Sequence, residues 1–301
     1  MILWCSMADL LLPGWFMQRF IKRYARANKF KGINNLSLFA WNMTPRLIRQ
    51  LLVQLYYRTH RDRLPGVLFL ILAQGRTGSS LLVDLLNSHP DISCLAEIFT
   101  SSVAKNVRNP VDFASGLCCL STNNAGGFKV KIYQMGNVRC STAHQFLERF
   151  RDEGWQVIYL KRANVLRHAL SDIRSEKTRI FHHTGEKEEG KLKSARKEKV
   201  TITEEELFRT IRFREKCLEQ EKEALAGIDH MVIEYERDLL EDDSKLNTMD
   251  RVFDYLGLKP HTCSTAMKKV TSRNISDIVE NHQEIIDSLT GTPYEEYLGW
   301  G

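Results

Sequence analysis

Apolar runs and helical stripes alternate along most of this 301-residue chain. "VLFLILA" (67–73) is uninterrupted apolar sequence, the pattern of a strand buried on both faces. Leu81, Leu82, Leu85 and Leu86 then recur at helical spacing, and His89-Pro90 closes that helix. "GFKVKIYQM" (127–135) alternates with period two. As a strand it places Phe128, Val130 and Ile132 on one face and Lys129, Lys131 and Tyr133 on the other. "QVIYLK" (156–161) predicts a further buried strand with helix after it to about Lys177, and "HMVIEY" (230–235) predicts a fourth strand. Thr203 and Glu206 make a capping-box pattern that opens a long charged helix to about Ala226. Strands separated by helices predict an α/β fold, a parallel sheet flanked by helices. No internal repeat is visible.

The first 64 residues follow a different pattern. Thr44 and Pro45 are suited to N-cap and first helical position, and Leu47, Ile48, Leu51, Leu52 and Leu55 recur after them at helical spacing. Leu64-Pro65-Gly66 punctuates the chain, dividing a basic helical N-terminal extension (1–64) from the main domain (65–301). Through Arg63 there are eleven Lys or Arg against Asp9 and Asp62, a net charge of +9 that leaves −3 for the rest. Trp15, Phe16, Phe20 and Tyr24 interleave with the charges. Two readings stay open: a solvated helical extension, or a surface contacting anionic lipid at the membrane periphery. No nucleic-acid partner is expected, and the pattern sets no oligomeric state. No apolar run reaches the ~18 residues that predict a transmembrane helix. The apolar start is broken by Asp9 and Pro13 and is a poor signal peptide. Seven scattered cysteines without a C-x-x-C pair fit reduced thiols in a cytoplasmic location. "TGEKEEGKLKSARKEKV" (184–200) carries ten charged residues and reads as a solvated loop.

The chemistry concentrates in "ILAQGRTGSSLL" (71–82), which runs from strand through a Gly-rich turn into a helix. Gly75 and Gly78 permit tight backbone geometry and close approach of an anion. The amides of Gly78, Ser79 and Ser80 lie at a helix N-terminus, where the dipole favours negative charge. Arg76 adds a forked cation, and Thr77, Ser79 and Ser80 add hydroxyls. The turn is P-loop-like, yet Ser79 stands where a nucleotide-triphosphate loop has its lysine. No His/Cys/Asp cluster has metal-ligand spacing, so no metal is expected.

"QGRTGSSLLVDLLNSHPDISCLAE" resembles the 5′-phosphosulfate loop of sulfotransferases that use 3′-phosphoadenosine 5′-phosphosulfate (PAPS). "VIYLKRANVLRHALSDIRSEKTRIFHH" (157–183) resembles the 3′-phosphate segment of that superfamily, most like the bacterial carbohydrate branch with trehalose and Nod-factor sulfotransferases. "GFKVKIYQM", "VIEYERDLL" and "VFDYLGL" resemble weaker landmarks, in the expected order over about 67–298. The resemblance implies the sulfotransferase fold and PAPS as co-substrate. It implies donor contacts from Gly75, Arg76, Thr77, Gly78, Ser79, Ser80, Arg162 and Ser171. The Arg162-to-Ser171 spacing is one residue longer than is common there.

It also places Glu97 where related enzymes carry a glutamate base. The apolar flanks Cys94-Leu95-Ala96 and Ile98-Phe99 predict a desolvated carboxyl with a raised pKa. His182 and His183 are the competing bases. One of Lys129 and Lys131 is suited to meet charge developing in the transition state, and the family pattern that the chain resembles, Gly-Phe-Lys followed by a basic residue, favours Lys129, although an edge strand would leave both lysines solvated. The acceptor hydroxyl is expected on a carbohydrate, a glycolipid or another small molecule, with residues 184–200 as a lid over it. The alternatives are a P-loop-like kinase of a small metabolite, or a catalytically silent anion-binding protein docking on membranes.

Overall fold

The structure, a computed structural model, describes residues 46–100, 107–136, 138, 142–179, 198–265, 267 and 274–299. Residues 1–45 of the basic extension, His182, His183, residues 184–197 of the charged loop, Cys5 and Cys140 lie outside the described residues. The described strands are β1 (Val67–Ala73), β2 (Ile92–Glu97), β3 (Ala125–Val130), β4 (Gln156–Lys161) and β5 (Met231–Glu234). They form one five-stranded sheet in the order β2-β3-β1-β4-β5. The registered pairs β1–β3, β2–β3 and β4–β5 are all parallel. This is the α/β class that the alternation predicts.

Two strand expectations change. β3 ends at Val130, not at Met135, because Lys131 caps a four-residue helix, α4 (Ile132–Met135). The Gln134 side chain turns back and accepts the Lys131 backbone N–H at 3.0 Å, which closes that turn in place of a strand ladder. β2 is an additional strand. Its "ISCLAE" holds Ser, Cys and Ala, which carry little strand signal.

The chain divides into two compact units. Among the described residues, the first comprises those from 46 to 72, from 90 to 157 and from 227 to 230. It contains helices α1 (Arg46–Thr59), α3 (Pro110–Cys118), α4 and α5 (Ala143–Asp152). Its centre is aromatic: Phe99 meets Phe146 edge-on at 5.4 Å, and Phe146 lies 4.8 Å from Phe150. Each such pair contributes about 0.5–1.5 kcal/mol beyond the area it buries. α1 packs on α3 at Gly116, where an added Cβ would stand 2.4 Å from the Val53 carbonyl oxygen. That close approach sets which face turns inward. Gln50, Val53, Tyr56 and Tyr57 are buried, whereas Leu51 and Leu55 of the expected stripe are exposed.

Among the described residues, the second unit comprises those from 73 to 89, from 158 to 226 and from 231 to 299. It contains α2 (Ser79–Leu86), α6 (Val165–Thr178), α7 (Glu204–Ala224), α8 (Asp242–Tyr255) and α9 (His282–Leu289). Leu166, Leu170 and Ile173 of α6 pack with Leu207 and Ile211 of α7 and Ile285 of α9. Thr203 caps α7 as its pattern predicts, accepting the Glu206 N–H at 3.2 Å. Among the described residues no helix is long and apolar enough to cross a membrane. The five cysteines described are free thiols.

Candidate functional site

Ligands of open α/β sheets sit beyond the carboxyl ends of strands, where the chain changes direction across the sheet. In the second unit three such ends carry the candidate residues: Gln74 to Ser80 after β1, Arg162 after β4, and Tyr235 with Glu236 after β5. α2 starts at Ser79 with Gly78 as its N-cap, so the positive end of its dipole falls on the turn. Gly78 has φ 83°, and an added Cβ would lie 2.5 Å from the Tyr235 ring. Only glycine fits there, on both grounds. Arg76 has φ 68°, a left-handed conformation that a non-glycine residue adopts at a cost.

Three successive turn carbonyls each accept a side-chain hydrogen bond. The Thr77 hydroxyl donates to Gln74 O at 2.8 Å, His168 Nε2 to Gly75 O at 2.6 Å, and Arg162 Nη1 to Arg76 O at 3.2 Å. A carbonyl can only accept, so His168 carries its proton on Nε2. Burial, with the positive charges of Arg214 and Arg162, holds the His168 pKa well below the usual value, and the ring is neutral. With these acceptors occupied, the negative ends of the turn's carbonyl dipoles are compensated, which favours an anion at the amide side.

Arg162 is held on several sides. Its Nε donates to Glu236 at 2.9 Å, Glu236 also accepts the Ala163 N–H at 2.9 Å, and the guanidinium lies 5.1 Å from the Tyr235 ring centre. Its Nη2 has no hydrogen-bond partner among the described residues. Arg76 Nε donates to Ser171 Oγ at 3.3 Å, which holds the serine at the turn. Burial lowers the Arg76 pKa, opposed by Asp172 and reinforced by Arg162. An anion beside these two guanidiniums relieves their mutual repulsion.

The first unit brings together a second group. A register irregularity between Leu95 and Glu97 sets Glu97 opposite Lys129 on β3. Glu97 Oε1 lies 3.3 Å from Lys129 Nζ and 3.0 Å from Lys131 Nζ, and Oε2 accepts from Gln134 Nε2 at 2.7 Å. β3 is an interior strand, and Lys129 is only 5% exposed, which rules out the solvated-edge reading. Lys131 reaches the same carboxylate from the cap of α4 rather than from a shared strand face.

The expected upward shift of Glu97 is reversed. Burial pushes its carboxyl up, but Lys129, Lys131 and hydrogen bonds from Lys131 and Gln134 outweigh it, and the pKa falls below the ordinary value. Burial in turn lowers Lys129 despite Glu97, whereas Lys131 is raised because Tyr133 and Glu97 outweigh its burial.

The structure thus joins the predicted Gly75, Arg76, Thr77, Gly78, Ser79, Ser80, Arg162 and Ser171 around one turn, and the predicted Glu97 and Lys129 in one ion pair. Thr77 closes the turn through its hydroxyl. Sequence reasoning passes over His168, Tyr235, Glu236 and Gln134. Glu236 stands in the quoted "VIEYERDLL", two residues beyond a strand end. Gln134 gives no signal until the strand is seen to stop at Val130. Among the described residues no three His, Cys, Asp or Glu side chains are grouped to hold a metal ion.

No family model matches the chain, and no curated protein matches it. Among solved structures, the sulfotransferase STF9 from Mycobacterium avium aligns with a TM-score of 0.42 at 9% identity, over 81% of this chain and 84% of that one. Mouse sulfotransferase SULT7A1, complexed with PAP, aligns with a TM-score of 0.37 at 10% identity, over 76% of this chain and 87% of that one.

Proposed function

We propose that the protein is a PAPS-dependent sulfotransferase that moves a sulfuryl group onto an acceptor hydroxyl, on a carbohydrate or glycolipid. The observation that carries this reading is the meeting of two segments that resemble the donor site separately in sequence. Arg76 of the first donates to Ser171 of the second at 3.3 Å, and Arg162 of the second donates to Arg76 O at 3.2 Å.

In this reading the 75–80 turn and the α2 N-terminus hold the 5′-phosphosulfate, and Arg162 gives its remaining donors to the 3′-phosphate. The acceptor oxygen attacks sulfur in line. Its new S–O bond forms as the bond from sulfur to the bridging 5′-phosphate oxygen breaks, and adenosine 3′,5′-bisphosphate leaves with that electron pair. Glu97, ionised at neutral pH because its pKa is depressed, takes the hydroxyl proton. Lys129 meets negative charge developing on the transferring group. A sulfuryl donor presents no triphosphate tail, so a turn with Ser79 in place of the lysine suits it. Peripheral contact of residues 1–64 with anionic membrane belongs to the same proposal.

Titration calorimetry with PAPS, adenosine 3′,5′-bisphosphate and ATP tests the donor half. Tighter binding of the first two is expected, and equal affinity for ATP overturns the assignment. A ³⁵S-labelled donor offered to carbohydrate and lipid extracts then identifies the acceptor. Label that stays on the donor or passes only to water counts against transfer.

A further inference from the structure

Behind the turn, the second unit buries a polar network that the proposed chemistry does not use. α7 carries Arg214 and Glu221 seven residues apart, two helical turns, so both project from one face. Each grips one end of the Gln74 side-chain amide. Gln74 Nε2 donates to Glu221 Oε2 at 3.1 Å, and Arg214 Nη1 donates to Gln74 Oε1 at 3.3 Å. Gln74 is the residue before Gly75, and its backbone carbonyl takes the Thr77 hydroxyl. Glu221 is wholly buried. Its Oε2 also accepts from Tyr159 OH at 3.0 Å, while its Oε1 has no partner.

We infer that Glu221 is a proton-linked positioning residue: it braces Gln74 behind the anion turn, and its ionisation sets a second negative charge there and weakens anion binding. This rests on the donor half of the reading above, that the turn takes an anion. The groups around Glu221 are Gln74 from the end of β1, Tyr159 from β4, and Arg214 and Cys217 from its own helix. Beyond Arg214 stand Asp172, paired to it, and the neutral His168 of α6. The nearest cation is therefore shared with another carboxylate, and an ionised Glu221 would keep a bare buried oxygen. Burial raises its pKa to about 7, against weaker lowering by Gln74, Tyr159 and Arg214. Linkage gives the direction. An anion on the turn disfavours a second negative charge behind it, so protonated Glu221 and bound anion favour each other, and affinity falls as pH rises through about 7.

The test measures the affinity of full-length protein for inorganic sulfate, a dianion throughout, between pH 6 and 8. The wild type should lose about fivefold or more across that range, a modest coupling. Glu221→Gln, which copies the neutral form, should bind as the wild type does at pH 6 and stay flat to pH 8. Tyr159→Phe removes a hydrogen bond that favours the charged form, so the fall should move to higher pH; this arm also decides the matter if the glutamine variant does not fold. A flat wild type, an unchanged fall in Glu221→Gln, no upward shift in Tyr159→Phe, or no sulfate binding at pH 6 overturns the inference. Adenosine 3′,5′-bisphosphate and ATP are run in parallel. The expected sulfate profile without a preference for the bisphosphate upholds the inference and overturns the donor assignment instead.

Discussion

At the end of β2, Glu97 meets two ammonium groups and an amide. On α7, Glu221 meets an amide and a phenol, with a guanidinium already paired to Asp172 beyond them. Glu221 is wholly and Glu97 partly withdrawn from water, and their pKa values shift in opposite directions. Glu97 lies below the ordinary 4.5, and Glu221 is raised to about 7. Burial alone predicts a rise for both. The identity of the partners decides the sign: full cations offset desolvation for Glu97, and neutral donors do not for Glu221. A raised pKa marks functional sites often enough to be a useful pointer. Here it falls on Glu221, hydrogen-bonded to Gln74 at the start of the proposed anion turn, while the proposed base is the depressed one.

The largest expected effect tests the Glu97 side. Glu97→Gln keeps the shape and removes the proton acceptor, so kcat should fall roughly 10²–10⁴-fold. Bisphosphate affinity should stay within about twofold, because the turn and Arg162 are untouched. Loss of kcat at alanine in place of His182 or His183, with Glu97→Gln near wild type, transfers the base role to a histidine. Near wild-type turnover in all three variants removes the base from the mechanism altogether. The depressed pKa sharpens this further. Between pH 6 and 8 Glu97 stays ionised, so no rising limb in that range should disappear in the glutamine variant.

The turn side is tested next. Arg162→Ala should weaken adenosine 3′,5′-bisphosphate by roughly 1.5–3 kcal/mol, the range for a hydrogen bond to a charged group, and leave Glu236 without its cation. An unchanged Kd by calorimetry denies Arg162 a ligand role. Gly78→Ala should cost somewhat less, about 1–2 kcal/mol of stability for a side chain held at positive φ, with Tyr235 forced to move. The accompanying drop in Tm should be about 2 °C per kcal/mol in a chain of this size. A variant that melts and binds like wild type means that the turn relaxes without cost.

Which parts of this were legible follows the same divide. The turn side shows plainly in sequence because its parts are local: strand, two glycines, an arginine and a helix start within one short stretch. Arg162 is legible for the same reason, closing an apolar run. The Glu97 side is legible only as a residue type in an apolar setting. Of its lysine partners, Lys129 sits on a neighbouring strand and Lys131 just past its end, and the sign of its pKa depends on a register irregularity and on that strand stopping one residue before Lys131. Glu221 and Arg214 read as two charges among many on a polar helix, because the Gln74 amide that they clamp is far away in sequence. The α1 stripe fails for a related reason. Gly116 of α3 admits the Val53 face and leaves Leu51 and Leu55 outside, which no periodicity within α1 can show.

The smallest effect separates the two carboxylates by stability alone, with no ligand present. Glu97, with a folded pKa below its unfolded value near 4.5, contributes stability present above that value and lost as pH falls through the folded pKa. Glu221, raised to about 7, contributes stability present below its unfolded value near 4.5 and lost as pH rises through about 7. Melting curves should therefore respond at opposite ends of the scale. Glu97→Gln should flatten the loss of Tm below about pH 4.5 and leave the neutral range alone. Glu221→Gln should flatten the decline between about pH 5 and 7.5 and leave the acid limb alone. Each change should amount to several degrees at most, at about 2 °C per kcal/mol. If both variants flatten the same limb, the contrast between the two sites is gone. If Glu221→Gln alone has no effect, Glu221 does not titrate near neutrality, and the proton-linked brace behind the turn falls with it.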